Sequence, residues 1–424
     1  MARGRQLQWF VSALPLASRS RPAQRLRIAF ALLATLFALA APPVVAQMRA
    51  GYVGDAACTS CHRQASLSYQ HTAHHLTSQL PSADSLPNRF FAGENLITII
   101  APENDLGEPS LVFRMSHTGS DYSETAITGF DGQLHQHSAR IDIVTGSGKR
   151  GQTFLNWQQD QLFELPVSYW TDGRRWINSP GYDDGTANFS RPIYPACMEC
   201  HATYLRPLFD DPESNHFDRA SLVVGIGCEV CHGPGAQHIA LEAARPTGSP
   251  RLTDSAILNP AHFTRERQID LCALCHNGIQ RQPLEPAFSY LPGEPLSRYF
   301  QPLDTPAAEH PDVHGNQVAL LERSRCFRES TSMTCSTCHD THAIEQPADS
   351  YSTKCLSCHR WQQCGEAKHI GAPIKSQCIR CHMPVEPTTV IVSTTAGKQV
   401  NATMRNHWIK VYPTAKPIGT IPHS

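Results

Sequence analysis

Beyond residue 46 the sequence lacks any apolar run long enough to cross a bilayer, which takes about 20 residues, so no membrane-spanning segment is expected there. Excess charge is missing too, since 36 Lys and Arg stand against 37 Asp and Glu for a formal charge of −1. That balance offers no basic face to a phosphate backbone, and nucleic acid is excluded as a partner. Hydrophobic residues make up only 41% of the 424 positions, little for a chain that must bury the interior of one large or two modest domains.

The one long apolar run, Ile28 to Ala41, follows Arg3, Arg5, Arg19, Arg21, Arg25 and Arg27 with no acid among them. It is short for a span, and Val44 and Ala46 supply the small residues that a signal peptidase reads at minus three and minus one. Residues 1–46 therefore read as a signal peptide cleaved after Ala46. If it is left uncleaved, the same run is a membrane anchor, the only route to membrane association. Loss of the six arginines takes the formal charge from −1 to −7.

What the sequence has in excess is cysteine, sixteen in all. Fourteen fall into seven Cys-x-x-Cys pairs, each followed at once by histidine: Cys58-Cys61-His62, Cys197-Cys200-His201, Cys228-Cys231-His232, Cys272-Cys275-His276, Cys335-Cys338-His339, Cys355-Cys358-His359 and Cys378-Cys381-His382. Two thiols at this spacing add to the two vinyl groups of one haem, and the adjacent imidazole comes under the iron as proximal ligand. Zinc ribbons and disulfide frameworks also use paired cysteines, but neither requires histidine in the fifth place. With 22 histidines, about one position in twenty, seven successes in seven pairs by chance is on the order of one in a billion. Seven covalently attached haems c are the expectation. The two cysteines left over, Cys326 and Cys364, are candidates for a disulfide in an oxidising compartment or for two separate thiols.

A haem that only passes electrons is usually closed by a second strong ligand. The distal candidates are His74 in Thr72-Ala73-His74-His75, His238 after the Gly233-Pro234-Gly235 turn, His314 in His314-Gly315-Asn316-Gln317, His342 three residues past His339, His369 before the last motif, and His407 near the C-terminus. Six candidates for seven irons leave one open. His75, His137, His262 and His310 compete for it, or one iron keeps a free position that takes a small molecule.

The last six motifs, residues 197–382, leave roughly 31 residues for each, too few to build a core around every one. The haems themselves are expected to be that core, stacked closely and wrapped in short helices and irregular loops. Between the first two motifs the pattern changes. Residues 96–100, 111–115, 140–144, 153–157 and 162–167 are short β-branched or aromatic runs, expected as a small antiparallel sheet with Gln158 to Gln161 as a hairpin connection. The expected organisation is a signal peptide (1–46), a first haem-binding segment (47–90), a β-rich insertion (91–195), a six-haem domain (196–390) and a C-terminal return segment (391–424) that carries a distal ligand and opens on a strand at Val390-Ile391-Val392. Gly146-Ser147-Gly148-Lys149-Arg150-Gly151 is glycine-rich like a phosphate loop, but without strand-to-helix context it reads as a hairpin loop. His135 and His137 alternate on a strand and read as structural. The proline-rich stretch 285–309 reads as an ordered surface loop.

The flanking words carry a resemblance. Tyr52-Val53-Gly54, Thr72-Ala73-His74, Gly233-Pro234-Gly235 with His238, His314-Gly315-Asn316-Gln317, Cys338-His339-Asp340-Thr341-His342 and Cys381-His382-Met383-Pro384 resemble recurring segments of one multihaem cytochrome c superfamily. It includes the tetrahaem electron acceptor of hydroxylamine oxidoreductase, that oxidoreductase, and pentahaem nitrite reductase. Pro166-Val167-Ser168-Tyr169-Trp170 and Ser179-Pro180-Gly181-Tyr182 are similar to a haem-free insert in other bacterial members. The resemblance covers residues 52 to about 411 and implies paired, mostly bis-histidine haems in a largely α-helical shell. Two departures stand out: no helical repeats end the chain, and no lysine replaces a proximal histidine.

The expected class is thus a multihaem cytochrome, exported to the periplasm or beyond, that moves electrons between redox proteins, quinol-oxidising complexes or other cytochromes among them. Its acidity suits basic partners. The alternative is an oxidoreductase for a small nitrogen or sulfur compound at one five-coordinate haem. A third reading makes the haems purely structural.

Overall fold

The computed structural model describes residues 50–99, 111–129, 133–246, 248–250, 256–278, 281–301, 309–312, 314–388 and 392–412. The expected leader (1–46), Ile100 and Val390-Ile391 lie outside them.

Ten strands follow the first motif: β1 (Ser78–Gln79), β2 (Leu96–Ile99), β3 (Leu111–Thr118), β4 (Asp121–Thr128), β5 (His135–Arg140), β6 (Ile143–Thr145), β7 (Gly151–Gln158), β8 (Gln161–Trp170), β9 (Arg175–Asn178) and β10 (Arg191–Pro192). One sheet runs in the order β2-β3-β4-β5; the other runs β1-β6-β7-β8-β10, with β9 also on β8. β7 and β8 meet at the pair Gln158 and Gln161, and Gln159 takes the left-handed conformation (φ 58°) that so tight a turn needs. The run 140–144 divides between the sheets. Ile141 N–H bonds the Tyr122 carbonyl of the first, and Asp142 N–H bonds the Leu155 carbonyl of the second, both at 2.8 Å.

Helices are short and mark the motifs: α1 (Asp55–Thr59), α2 (Arg63–Tyr69), α3 (Pro195–His201), α4 (Cys228–His232), α5 (Ala236–Ala244), α6 (Arg265–His276), α7 (Gln317–Glu322), α8 (Arg325–Glu329), α9 (Ser352–Cys355), α10 (Ala367–Ile370) and α11 (Cys378–His382). Three further hairpins are β11 (Ala202–Pro207) with β12 (Phe217–Val224), β13 (Val385–Pro387) with β16 (Thr403–Arg405), and β14 (Ser393–Thr395) with β15 (Lys398–Val400).

The expected mainly helical shell is therefore corrected: strand residues outnumber α-helical ones among those described, and only α6 reaches 12 residues. The cause is local. With so few residues between motifs, the helices at attachment sites other than α6 end within about two turns, and most of the segments that bury apolar side chains are extended.

Alternation along β7 shows how the sheets position the motifs, since successive side chains point to opposite faces. Phe154 joins Phe113, Met115, Ile141 and Val167 between the two sheets. Its neighbour Leu155 packs on the other face with Leu162, Met198, Leu205 and Phe217, against α3 and the β11–β12 hairpin. The second motif is thus seated directly on the sheet. A third cluster, Ile269, Ala273, Leu274, Tyr290, Tyr299, Val318 and Phe327, holds α6, with Cys272, Cys275 and Cys335 packed on it. The tail is pinned as well: Ser393 Oγ donates to the Asn178 carbonyl, and Asn178 Nδ2 to that of Thr394, each at 2.7 Å.

Candidate haem-binding site

All seven motifs line one cavity of about 4440 Å³. Protein interiors are otherwise close-packed, and a pocket for one ordinary ligand measures roughly 300–1,000 Å³, so this space fits several large groups. Its walls carry every motif cysteine, all seven motif histidines, and five of the six distal candidates: His74, His238, His314, His342 and His407. His369 is exposed on α10 and does not reach it. Nor do His75, His137, His262 and His310. His75 instead sits 3.6 Å from Asp55, His137 packs on Phe189, and His310 meets Glu386 at 3.1 Å.

The imidazoles face one another in pairs. Ring centres lie 6.2 Å apart for His62 and His238, 5.9 Å for His232 and His342, 5.9 Å for His276 and His74, and 6.3 Å for His339 and His407. A metal held by two imidazole nitrogens at ~2.0 Å each puts the ring centres about 6 Å apart. The pairs therefore have the spacing that an iron between them requires. His314 stands near enough to His201 for its charge to act on it. His359 and His382 have no second imidazole at such a spacing among the described residues.

The other ring nitrogen is occupied where the backbone or a side chain can reach it. Nδ1 of His201 lies 3.1 Å from Thr77 Oγ1, that of His276 3.2 Å from Gln317 Oε1, and those of His232 and His382 2.8 Å from the carbonyls of Leu258 and Lys410. On the distal side, His314 Nδ1 meets Asp312 at 2.9 Å, and His407 Nδ1 the Arg405 carbonyl at 3.1 Å. Such bonds leave Nε2 as the free donor atom and fix the ring's direction. Burial, reinforced by neighbouring imidazoles, lowers His74 and His407 to about 4. His201, His232, His276 and His339 are lowered for the same first reason. An imidazole must be neutral to bind a metal, so burial favours the ligating form.

Glycine makes one of these pairs possible. Gly233 ends α4 at φ 73°, so the chain turns off the helix axis, begins α5 at Ala236 and brings His238 opposite His62.

The motifs also touch one another. Thiols of Cys58 and Cys228, of Cys200 and Cys275, and of Cys272 and Cys335 lie against each other. Cys355 feels both Cys338 and Cys378. With His342, which belongs to the fifth motif's loop and faces His232, the contacts join motifs 1–3–5, 2–4–5 and 5–6–7. Cys326 and Cys364 both lie on the cavity wall; Cys326 neighbours Cys338 and Cys355, and Cys364 neighbours Cys381. Among the described residues no three His, Cys, Asp or Glu side chains converge as a metal-ion site, unlike the closed four-ligand shell of a structural zinc.

Sequence reasoning missed Glu229, which lies between the two thiols of its motif and accepts the backbone N–H groups of Val53, Gly54 and Gly235 at 2.7–3.0 Å. It also missed the approach of Lys149 and Arg150 to the cavity. An acid inside an attachment motif and a glycine-bracketed basic pair were the available signals.

Thiol pairs and paired imidazoles around a shared cavity make the chain similar to the multihaem c-type cytochromes, proteins that hold haem c by thioether bonds. Particular relatives carry the same message. The family described as cytochrome c554 and c-prime matches residues 182–233. The multiheme cytochrome MtrA of Shewanella baltica is 24% identical over 205 residues, covering 46% of this chain and 47% of that one. The C-type polyheme cytochrome OmcC of Geobacter sulfurreducens is 35% identical over 86 residues, 20% of this chain and 10% of that one. The chain thus spans about half of one curated relative and a tenth of the other. In fold it is similar to the outer cell wall cytochrome OcwA, with a TM-score of 0.50 and 16% identity over 85% of this chain and 80% of that one.

Proposed function

We propose that this protein is an exported seven-haem cytochrome that passes electrons between redox partners. The observation that carries the reading is the set of four imidazole pairs, 5.9–6.3 Å apart, inside the cavity that all seven motifs line. When bound, haem supplies one-electron chemistry. The chain's own residues do the rest: Cys58, Cys61, Cys197, Cys200, Cys228, Cys231, Cys272, Cys275, Cys335, Cys338, Cys355, Cys358, Cys378 and Cys381 tether it, and the motif histidines ligate from one side. His238, His314, His342, His74 and His407 close the first, second, third, fourth and fifth sites.

The motif contacts support a network rather than a linear series: motifs 1–3 and 2–4 are linked to each other through Cys231 and Cys272, both reach the fifth, and the sixth joins the fifth to the seventh. The export signal and the acidic mature chain support extracytoplasmic redox proteins with basic docking faces as partners, and the relatives' names as cytochromes agree with a carrier. Kinship to the hydroxylamine oxidoreductase and nitrite reductase superfamily is the finer placement supported by the flanking words quoted above.

Mass spectrometry of the purified exported protein, with pyridine haemochrome quantitation, tests the count. Seven haems per chain resistant to acid acetone is the expected result; a bare polypeptide mass overturns the proposal.

One observation favours a second reading, small-molecule oxidoreduction at the C-terminal end. His359 and His382 lack a facing imidazole among the described residues, and His359 is exposed. A high-spin ferric signal that shifts with nitrite, hydroxylamine or sulfite supports that reading; a fully low-spin spectrum rejects it.

A further inference from the structure

The glycine-bracketed loop between β6 and β7 lies on the cavity wall, with Ser147, Lys149 and Arg150 among the lining residues. It is held in that position from two sides. Gly146 N–H bonds the Thr77 carbonyl at 2.7 Å, Thr171 N–H bonds the Arg150 carbonyl at 2.9 Å, and Thr171 Oγ1 donates to the Gly148 carbonyl at 2.7 Å. Glycine is required here: Gly146 and Gly148 sit at φ 91° and 76°, and a Cβ on Gly146 or Gly151 would come within 2.6 or 2.8 Å of a backbone oxygen. A fixed loop of this kind presents its two cations at a set place.

That place is the wall beside the fourth and fifth attachment sites. The charge of Lys149 reaches His74, which faces His276. The charge of Arg150 reaches Arg405, whose carbonyl accepts from His407, the ring facing His339. Three cations are thus gathered around two ring pairs, and Arg405 is itself partly desolvated. Their acidic neighbours are loose: Lys149 to Glu345 spans 3.8 Å and Arg150 to Asp172 3.7 Å, all four side chains being well exposed. A charge-assisted bond that uses the donors fully is about 2.7–2.9 Å long. Lys carries three donors and Arg five, so capacity remains for an anion from the cavity side.

We propose that Lys149 and Arg150, with Arg405, bind haem propionate carboxylates at the fourth and fifth sites and raise the reduction potential there. The β-rich region would then do more than seat the second motif, since it would reach across to set the potential of two sites that lie far further along the chain, at Cys272–His276 and Cys335–His339. A cation beside a haem favours the form that has gained an electron, by an attraction that falls with distance and with exposure to water. The inference rests on the haem-binding reading, and the experiment separates the two.

In the Lys149→Gln/Arg150→Gln holoprotein, haem per chain is counted first and each midpoint is then followed by spectroelectrochemical titration at fixed pH and salt. A wild type without haem refutes the haem reading itself. With wild-type haem content present, the variant is expected to lower one or two midpoints by about 59 mV, the equivalent of a tenfold fall in the one-electron reduction equilibrium, or to lose one haem while keeping the others. Lys149→Arg/Arg150→Lys should restore the wild-type values. The single variant Lys149→Gln, expected to give part of the shift, replaces the double one if that fails to fold. Full haem content with every midpoint unchanged overturns the proposal.

Discussion

The first five motifs and the last two spell the same word in different surroundings. At the first five, each motif histidine lies near a second imidazole delivered from elsewhere in the chain, as far as 202 residues away for His276 and His74. At the last two, α9 and α11 are four and five residues long, His359 is exposed, and the nearest ordered partner of His382 is a backbone carbonyl. The difference teaches that the motif tethers a cofactor but does not close it. Closure takes a second segment, and among the described residues beyond Met383 the one histidine is His407, which goes to the fifth site.

The comparison can be broken most sharply by removing an attachment from each group. Cys272→Ser with Cys275→Ser takes away a group from within the α6 cluster, and no soluble exported holoprotein is expected. Cys355→Ser with Cys358→Ser should yield protein lighter by one haem, and equal loss from both pairs would erase the distinction. Next comes closure itself. His407→Ala should convert one ferric haem from low to high spin by electron paramagnetic resonance, whereas His369→Ala, at a residue off the cavity, should leave the spectrum unchanged.

Acid sharpens the contrast further. His74 and His407 have folded values lowered from 6.5 to about 4 by burial, so between those values the unfolded chain takes up protons that the folded chain refuses. Stability should therefore fall as pH falls through that window, seen as a drop in the denaturant midpoint that His407→Ala reduces. The smallest effect is expected from Asp312→Asn, which weakens the bond orienting His314. It should move one midpoint by less than a tenfold equilibrium change, with spin state and haem count intact.

The sequence made the attachment words plain because seven identical spacings need no tertiary context to be read. Five of the six distal candidates line the cavity, and three of them were offered for local reasons: His238 by its turn, His342 by its spacing from His339, and His407 by the returning tail. His369, offered for its nearness to a motif in sequence, is exposed on a four-residue helix and off the cavity wall, since such nearness says nothing of which way the helix turns. The pairing of rings was not legible, since it depends on contacts between segments up to about 200 residues apart. The β-strand content was underestimated because attachment motifs suggest helices. Short alternating runs such as those in β11 and β12, and in the β13–β16 hairpin, carry little signal until the partner strand is known.

Glu229 joins the segment just before the first motif to the third. Its carboxylate holds the backbone at Val53 and Gly54, 175 residues or more upstream, and the ring that faces His62 also comes from this later stretch, at His238. A polypeptide made amino end first therefore presents its first attachment motif long before the pieces that complete it have been added. That motif must wait half-finished, open to water and to wrong ligands, until the third one arrives and both settle together.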